Sequence, residues 1–178
     1  TLNISPETKV GKIQNWDAEE NIRGAEKTYK LVGKDGDTYE YSTQELKEVI
    51  KDSNLGVAAN GVLYTQDKPG LIADILNDWF QKRVEFRKLE KKYGEAKDTE
   101  KYEFYAKRQL VQKILLNSMY GVLGLPAFRF YDVDNAEAVT TTGQTVIKNS
   151  ANMGNIKYNK ELGTTDVDSN IYIDTDSV

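Results

Sequence analysis

The 178-residue sequence contains no cysteine and no histidine, and only three prolines and two tryptophans. These absences exclude cysteine/histidine zinc sites, thiol nucleophiles, imidazole bases and disulfide bonds. Carboxylates, lysines, tyrosines and hydroxyls remain, so a metal site would have oxygen ligands, which suit Mg²⁺ or Mn²⁺. The sequence also lacks the run of ~20 apolar residues that crosses a bilayer, and no signal-type segment opens it. We therefore expect a soluble, intracellular protein with no membrane partner.

The charge of the sequence is unevenly distributed. A formal net charge of -4 argues against a general nucleic-acid coat protein, but the lysines and arginines cluster between residues 82 and 113. The chain also begins at Thr1 rather than at a methionine, and it stops at Val178, directly after the strand-like run IYIDTDSV. We interpret it as a fragment of a longer protein.

The first part of the chain predicts short strands. Segments 28–32 and 38–41 flank the sequence GKDGD, whose residues tolerate positive φ, and this pattern is typical of a β-hairpin. Ser42 and Glu45 form a capping-box pattern that opens a short helix. An Asn-Gly turn then precedes a further strand predicted at 62–64.

Two long helices are predicted next. The first runs from Leu71 to about residue 93 and the second from about Thr99 to Leu123. Both carry many basic side chains. Because only a short polar link joins them, we expect the two helices to pack antiparallel as a hairpin.

The chain after the hairpin predicts three further pieces. Residues 128–131, FRFY, are interpreted as extended. Asp134 begins a capping-type pattern for a helix from residue 135 to about 151, and Gly143 within that helix indicates close packing. Residues 152–170 are interpreted as a polar connection, which leads into a strand-like run at the end of the chain.

A single helical stripe near the end of the second long helix combines several polar groups. Lys113, Asn117, Tyr120 and Gly124 follow one another at i, i+4, i+7 and i+11 within KILLNSMYGVLG. The turn around Lys113 is rich in leucine and isoleucine, so we expect it to be largely buried, with the lysine in need of an anion. Gly121 and Gly124 would let another backbone or a planar base come close.

Arg83 and Arg87 form a second candidate site on the first long helix. They stand at i and i+4, so both guanidinium groups leave one face and could clamp an anion. The alternative is a solvated basic face, in which Glu85 and Glu90 are the intrahelical partners of the arginines.

Asp174 and Asp176 form an acidic pair at the end of the chain. They alternate at strand period, so both carboxylates leave one face about 6–7 Å apart, a separation at which a divalent cation relieves their repulsion. The alternative is an exposed acidic turn. Ile171 and Ile173 on the other face favour a packed strand that holds the acids in place.

These motifs together resemble those of family B DNA polymerases. KILLNSMYGVLG resembles the motif K-x3-N-S-x-Y-G, FRFYD…AVTTTGQ resembles the segment after it, and IDTDS is similar to the catalytic D-T-D-S. WFQKRVEFRK resembles the preceding fingers helix, and NISPET is similar to the segment that follows the first catalytic motif in polymerases of large tailed phages. The resemblance covers nearly the whole chain.

The resemblance implies an α+β fold in which a partial polymerase palm, an antiparallel sheet with helices, is interrupted by an antiparallel two-helix fingers hairpin. Residues 1–69 would be a palm part with a connecting β-rich segment, and residues 70–125 would be the fingers hairpin. Residues 126–178 would be a further palm part that ends at the catalytic D-T-D-S motif.

The resemblance also implies template-directed DNA synthesis, in which a primer 3′-hydroxyl attacks the α-phosphate of a dNTP with assistance from two Mg²⁺ ions, or Mn²⁺ in their place. Lys113 would contact the triphosphate and protonate the departing pyrophosphate, and Arg83 and Arg87 would hold the outer phosphates. Asn117 would add a hydrogen bond, and Tyr120 would line the pocket of the nascent base pair.

The remaining implied roles belong to Gly121 and to the acidic pair that would bind the metal. Gly121 would stand behind Tyr120. Asp176 would ligate the catalytic magnesium ions, with Asp174 beside it in a less direct role. Ile173 occupies a position where many relatives have glycine, which leaves both ligands in place. The metal-binding aspartate of the family's first motif would lie before Thr1, so we expect the chain alone to be inactive.

The expected partners follow from the same resemblance. They are primer–template DNA, dNTPs, the remainder of the polymerase chain, and a sliding clamp with other replisome proteins. For a phage-encoded polymerase, the expected location is the cytoplasm of the host cell.

Two alternatives from other classes remain open. The chain could be a non-catalytic module that binds nucleic acid or nucleotide through its basic hairpin, or the hairpin could be purely structural. Titration with a nucleoside triphosphate, with and without Mg²⁺, separates these alternatives from a polymerase.

Overall fold

The computed structural model describes residues 2–18, 20, 24 and 26–172, and its first part is a five-stranded antiparallel sheet. The elements of this part are β1 Lys9–Gln14, β2 Thr28–Gly33, β3 Thr38–Ser42, α1 Thr43–Asp52, β4 Leu55–Val57 and β5 Val62–Thr65. The strand order is β3-β2-β1-β5-β4, and every neighbouring pair is antiparallel. Helix α1 joins β3 to β4.

The local signals of this part are confirmed. The predicted β2–β3 hairpin closes with a hydrogen bond from the Gly33 N–H to the Asp37 carbonyl (2.8 Å), and Gly36 adopts φ 88° in the turn. The predicted capping box opens α1: the Glu45 carboxylate accepts from the Ser42 N–H at 2.8 Å, and the Ser42 hydroxyl accepts from the Glu45 N–H. The main core of this part combines side chains of the sheet and of α1, namely Ile13, Tyr29, Leu31, Leu46 and Leu63.

Two long helices form the predicted antiparallel hairpin. Helix α2 (Leu71–Glu95) and helix α3 (Thr99–Leu123) have nearly the predicted bounds. Near the link, the rings of Tyr93 and Tyr105 stack with centroids 5.5 Å apart, and further along the Arg108 guanidinium lies 5.9 Å from the centre of the Phe86 ring. Positions that come later in α3 therefore meet positions that come earlier in α2.

The segment after the hairpin differs from the prediction in two places. Residues 126–130 form successive turns rather than an extended piece, because the N–H groups of Phe128 and Tyr131 bond to carbonyls three residues back. Helix α4 spans Val133–Leu162, so the predicted polar connection begins eleven residues too early. No proline interrupts this stretch, and the helix ends only at Gly163, which caps it with φ 66°.

The start of α4 and the strand predicted after it also need correction. The N-cap is Asp132, whose side chain accepts from the Asn135 N–H, rather than Asp134. Ile171 is fully exposed and no strand is assigned at residues 171–172, so the packed strand inferred there is not found in the described part. Ile173, Asp174 and Asp176 lie outside the described residues, so that part of the prediction is not tested.

The glycine predicted to mark close packing in α4 does not do so. A Cβ atom at Gly143 would have no heavy atom within 4 Å, so nothing packs closely against it in the described part of the chain. The fold as a whole is α+β, as predicted. Among the described residues, no helix is long and apolar enough to cross a membrane.

Candidate functional site

Three predicted cations lie on one side of the helix hairpin. Arg87 lines a groove with Tyr102 of the facing helix, and Arg83 lies one helical turn before it on the same face. Lys113 follows Tyr102 by eleven residues, which is three helical turns, so it shares the Tyr102 side of α3. We call Arg83, Arg87 and Lys113 the cationic face.

The cationic face has free positive charge within the described part of the chain. None of its three side chains forms an ion pair or a hydrogen bond with a described residue, so the proposed intrahelical pairs with Glu85 and Glu90 are not formed there. The Arg83 Nε atom is buried without a partner, whereas Arg87 and Lys113 are exposed. An anion would therefore meet cations that form no ion pair with a carboxylate of the described chain.

Other lysines of the hairpin behave differently. Lys82 bonds to Asp78 at 2.7 Å and Lys107 to Glu103 at 3.3 Å, each one turn apart on its own helix. The contrast separates lysines that solubilise a helix surface from the cations of the cationic face.

The opposite side of the hairpin is a separate groove of about 560 Å³, bounded by Lys82, Phe86, Lys107, Arg108, Val111 and Gln112. The guanidinium of Arg108 stacks over the Phe104 ring at 4.4 Å from its centre, which holds this cation against an aromatic surface.

The turn around Lys113 is more exposed than the sequence predicted. Ile114 is 55% exposed and Leu110 49% exposed, so burial does not require an anion partner for Lys113. Each helix of a two-helix hairpin buries one face, and the apolar residues of α3 occur on all its faces. Asn117 and Tyr120 are exposed on the same stripe as Lys113.

The two glycines near the end of α3 differ in their surroundings. A Cβ at Gly121 would meet no heavy atom within 4 Å, so the face beside Tyr120 is open in the described chain. Gly124 is the C-cap of α3, and a Cβ there would lie 3.8 Å from the Ala136 Cβ.

An ionic cluster that sequence analysis missed joins the sheet to the start of α4. The Lys9 ammonium lies 3.0 Å from an Asp132 oxygen and 2.8 Å from an Asp134 oxygen, and Lys12 lies 2.8 Å from the second oxygen of Asp134. The partners stand more than 120 residues apart, so no local pattern could have revealed them. The cluster fixes the chain as it leaves the hairpin.

The same cluster shifts the pKa values of its members. Burial lowers the pKa of Lys9, but hydrogen bonds to Asp134 and Asp132 outweigh it and raise that pKa. The hydrogen bond to Asp134 raises the pKa of Lys12. Burial raises the pKa of Asp134, but hydrogen bonds from Lys12 and Lys9 outweigh it and lower that pKa. All three groups are therefore charged at neutral pH.

A buried hydrogen bond reinforces this junction. The Tyr64 hydroxyl donates to the Asn135 Oδ1 at 2.7 Å, and both residues are fully buried. Burial raises the pKa of Tyr64, and the charges of Asp132 and Asp134 raise it further. Tyr64 is thus a neutral structural donor.

The described residues do not form a metal site. They contain no group of three or more acidic side chains suited to a metal ion. The neighbouring acids Asp132 and Asp134 are neutralised by Lys9 and Lys12, so they do not fit a divalent cation. The predicted acidic pair, Asp174 and Asp176, lies outside the described residues, and its hard oxygen donors are of the kind that suits Mg²⁺.

Comparison with known proteins places the chain in a family. The model of DNA polymerase family B matches residues 3–178, so the chain belongs to that family and the resemblance of its motifs is confirmed. A relative from Enterobacteria phage T4, a DNA-directed DNA polymerase, is 50% identical over 70 residues, which are 39% of this chain and 8% of the relative.

Other relatives cover different shares of the chain. The DNA-directed DNA polymerase of Escherichia phage RB69 is 41% identical over 70 residues, again 39% of this chain and 8% of the relative. DNA polymerase 2 of Aeropyrum pernix is 33% identical over 118 residues, or 66% of this chain and 13% of the relative. The chain thus spans only a small part of the polymerases it matches.

Proposed function

We propose that this chain is the nucleotide-binding part of a DNA-directed DNA polymerase, which extends a primer on a DNA template. The observation that carries the proposal is the cationic face, on which Arg83, Arg87 and Lys113 share one side of the hairpin without carboxylate partners in the described chain. A triphosphate is the polyanion that such a face would hold, with charge-assisted hydrogen bonds to each cation.

Each group on this side has a role in the proposal. Lys113 contacts the triphosphate and supplies a proton to the departing pyrophosphate, and Arg83 and Arg87 hold the outer phosphates. Asn117 donates a hydrogen bond to the nucleotide. Tyr120, with Gly121 behind it, lines the pocket of the nascent base pair, where the open space beside Gly121 supports the approach of a flat base.

The metal belongs to the acidic pair. Asp176 would hold Mg²⁺, with Mn²⁺ as a substitute, and Asp174 would stand beside it. Magnesium bound there would supply charge neutralisation for phosphoryl transfer. We also propose that residues 70–125 are the fingers and that the flanking parts, 1–69 and 126–178, belong to the palm.

The proposed partners are primer–template DNA, dNTPs and the remainder of the polymerase chain. The large apolar side chains exposed on α3 and α4 support packing against that remainder. A sliding clamp and other replisome proteins complete the proposed setting, in the cytoplasm of a phage-infected cell.

Steady-state kinetics of the intact polymerase that contains this segment test the cationic face. Lys113→Ala and Arg83→Ala should raise the KM for dNTP by about tenfold or more, because each removes a charge-assisted bond to phosphate. Lys107→Ala is the matched control, since it removes a lysine of α3 that lies on the opposite groove and pairs with Glu103. Equal effects of Lys107→Ala and Lys113→Ala would refute the assignment.

The metal is tested separately from the cations. Asp176→Ala in the intact polymerase should abolish nearly all incorporation, and near-normal incorporation would sink the assignment of that residue. The 178 residues alone should bind dATP more tightly with Mg²⁺ than without it. Salt-dependent DNA binding with no effect of Mg²⁺ on dATP would favour the non-catalytic binding module instead.

The isolated chain should bind nucleotide without extending a primer. It spans 6% to 13% of the length of the relatives it matches, so we expect it to lack residues that catalysis needs. Measurable primer extension by the purified 178 residues would contradict this part of the proposal.

A further inference from the structure

The first turn of α2 receives its caps from residues more than sixty positions earlier in the chain. The N-cap Gly70 has no side chain to offer, and no side-chain cap forms from its own position. The Leu71 N–H instead donates to the Glu7 carboxylate at 2.5 Å, and the Ile72 N–H donates to the Ser5 hydroxyl at 3.3 Å. Two of the amide groups that every helix start leaves unpaired are satisfied in this way.

Asn3 makes further hydrogen bonds to the residues just before α2. Its Oδ1 accepts from the Gly70 N–H at 2.7 Å, while its Nδ2 donates to the carbonyls of Thr65 (2.7 Å) and Lys68 (2.8 Å). The Thr8 hydroxyl in turn donates to the Asn3 carbonyl at 2.6 Å, which closes the segment on itself. The buried Asn3 amide therefore ties three positions at or beside the link between β5 and α2 to the early segment.

Gly70 allows the two segments to touch. A Cβ at this position would lie 2.5 Å from the Ser5 Cβ and 2.9 Å from the Thr8 Cγ2, closer than such atoms can approach. Ser5 and Thr8 are themselves buried. The backbone of the helix start is thus packed directly on the early segment, which fixes its position as well as its hydrogen bonds.

The exit of the hairpin is fastened to the same early segment. Lys9 and Lys12 bind Asp132 and Asp134, which lie at the start of α4, the next helix after α3. The Asp132 N–H also bonds to the Leu123 carbonyl at 3.1 Å, so this start is tied to the last residue of α3. Both ends of the hairpin are therefore held by residues 3–12.

We propose that residues 3–12 form an anchor that sets the direction of the helix hairpin, and that Glu7 and Lys9 are positioning residues for nucleotide binding. The inference rests on the proposed function, because the hairpin carries the cationic face. Glu7 acts at the entry, through the Leu71 N–H, and Lys9 acts at the exit, through Asp132 and Asp134.

The length of α2 explains why its start matters at the distant cations. Arg87 lies sixteen residues after Leu71, which is about 24 Å along a helix. A tilt of about 10° at the base would therefore move Arg87 by about 4 Å, more than a hydrogen bond to phosphate tolerates. A small loss of order at the anchor becomes a large error in the position of the cationic face.

The negative charge of Glu7 is favourable at the N-terminus of α2. A carboxylate is stabilised at the N-terminus of a helix, where the helix dipole is positive. Burial raises the pKa of Glu7, but hydrogen bonds from the Ser5 hydroxyl and the Leu71 N–H outweigh it and lower that pKa. Glu7 therefore stays ionised at neutral pH.

Glu45 offers a matched control for Glu7. Both are glutamates whose carboxylates accept a backbone N–H at a helix start, Glu45 from Ser42 and Glu7 from Leu71. Helix α1, which Glu45 caps, carries none of the proposed nucleotide contacts. A purely structural role predicts that Glu7→Ala and Glu45→Ala have the same effect.

The test measures dNTP kinetics of the intact polymerase with Glu7→Ala, Glu7→Gln and Glu45→Ala. We expect Glu7→Ala to raise the KM for dNTP about fivefold, which is the factor by which loss of one helix cap typically changes an equilibrium constant. Glu7→Gln should raise KM by less, because its amide oxygen still accepts from the Leu71 N–H. Glu45→Ala should leave KM unchanged, since loss of folded enzyme lowers only the apparent kcat. An unchanged KM in Glu7→Ala, or an equal rise in Glu45→Ala, would overturn the inference.

Hydrogen exchange tests the anchor separately from the proposed nucleotide binding. Glu7→Ala should speed exchange of the Leu71 and Ile72 amides and leave the first turn of α1 unchanged. If these amides respond but Arg83→Ala does not change KM, the proposed function fails and the anchor has no cations to position. If Arg83→Ala raises KM and the amides do not respond to Glu7→Ala, the anchor alone is wrong.

Discussion

At the scale of single residues, neighbours decide what a polar group can do. Tyr64 and Lys113 show the two extremes. The hydroxyl of Tyr64 is buried against Asn135 and keeps its proton, whereas Lys113 is exposed and has no partner in the described chain. The first is structural, and the second is available to a ligand.

Removing the Tyr64 hydroxyl should destabilise the fold. Tyr64→Phe leaves the Asn135 Oδ1 buried without its donor, while the Asn135 Nδ2 already has no partner among the described residues. We expect the free energy of unfolding to fall by about 1–2 kcal/mol in urea denaturation. Tyr39→Phe, at a half-exposed ring on the edge strand, is the control and should change little; equal losses would argue against the buried bond.

The ionic cluster at the start of α4 should make stability depend on pH. Asp134 has a lowered pKa, so its contribution is complete above the ordinary aspartate value of 3.8 and is lost as the pH falls through the lowered value. Lys9 has a raised pKa, so its contribution is complete below 10.5 and is lost only as the pH rises through the raised value.

Lys9→Met isolates this contribution. The decrease in Tm that this substitution causes should be largest between about pH 4 and pH 10. It should become smaller at lower pH, because protonated carboxyl groups no longer attract the Lys9 ammonium. Lys30→Met, on an exposed lysine of β2, controls for the loss of one charge. A cost for Lys9→Met that stays constant down to pH 2 would exclude the ionic mechanism.

At the scale of elements, aromatic packing near the link joins the two helices of the hairpin. Tyr105 of α3 lies at the centre of this packing. It stacks on Tyr93, contacts Phe86 at a centroid distance of 6.3 Å, and meets the edge of Phe104 at 5.2 Å. Aromatic pairs at such distances stabilise beyond the area that they bury.

Truncation of this central ring should loosen the hairpin. We expect Tyr105→Ala to lower the free energy of unfolding by about 2 kcal/mol or more, through lost burial and lost ring contacts. Phe80→Ala, at a half-exposed ring of α2, should cost clearly less. Chemical denaturation followed by circular dichroism measures both, and a larger loss in Phe80→Ala would contradict the packing described.

At the scale of the whole molecule, the chain exposes much apolar surface on its helices. The side chains on α3 and α4 that are more than half exposed include Ile114 (55%), Val146 (60%), Met153 (70%), Ile156 (62%) and Leu162 (70%). Large apolar side chains that face solvent in this number are typical of a surface that packs against other protein. It agrees with a chain that spans only a small part of the polymerases it matches.

The isolated 178 residues should therefore bind a hydrophobic dye. Met153→Gln combined with Ile156→Gln should reduce dye fluorescence and leave the free energy of unfolding within about 0.5 kcal/mol, because both side chains already face solvent. Tyr39→Gln, on the sheet edge, should leave the fluorescence unchanged. Dye binding that the double variant does not reduce would locate the apolar surface elsewhere.

The sequence by itself determined the elements that depend on near neighbours. The β2–β3 turn, the Ser42–Glu45 capping box and the bounds of α2 and α3 all follow from contacts within about four residues along the chain. The same helical period puts Lys113, Asn117 and Tyr120 on one stripe. Family membership was also readable from short motifs.

Only the tertiary structure decided the contacts between distant residues. It joins Lys9 to Asp132 and Asp134, places Glu7 at the start of α2, and exposes the turn around Lys113 that sequence analysis expected to be buried. Spacing along the chain encodes neither which segments meet nor how many sides of a helix are covered. Those depend on the path of the whole chain, which brings one early segment to both ends of the hairpin.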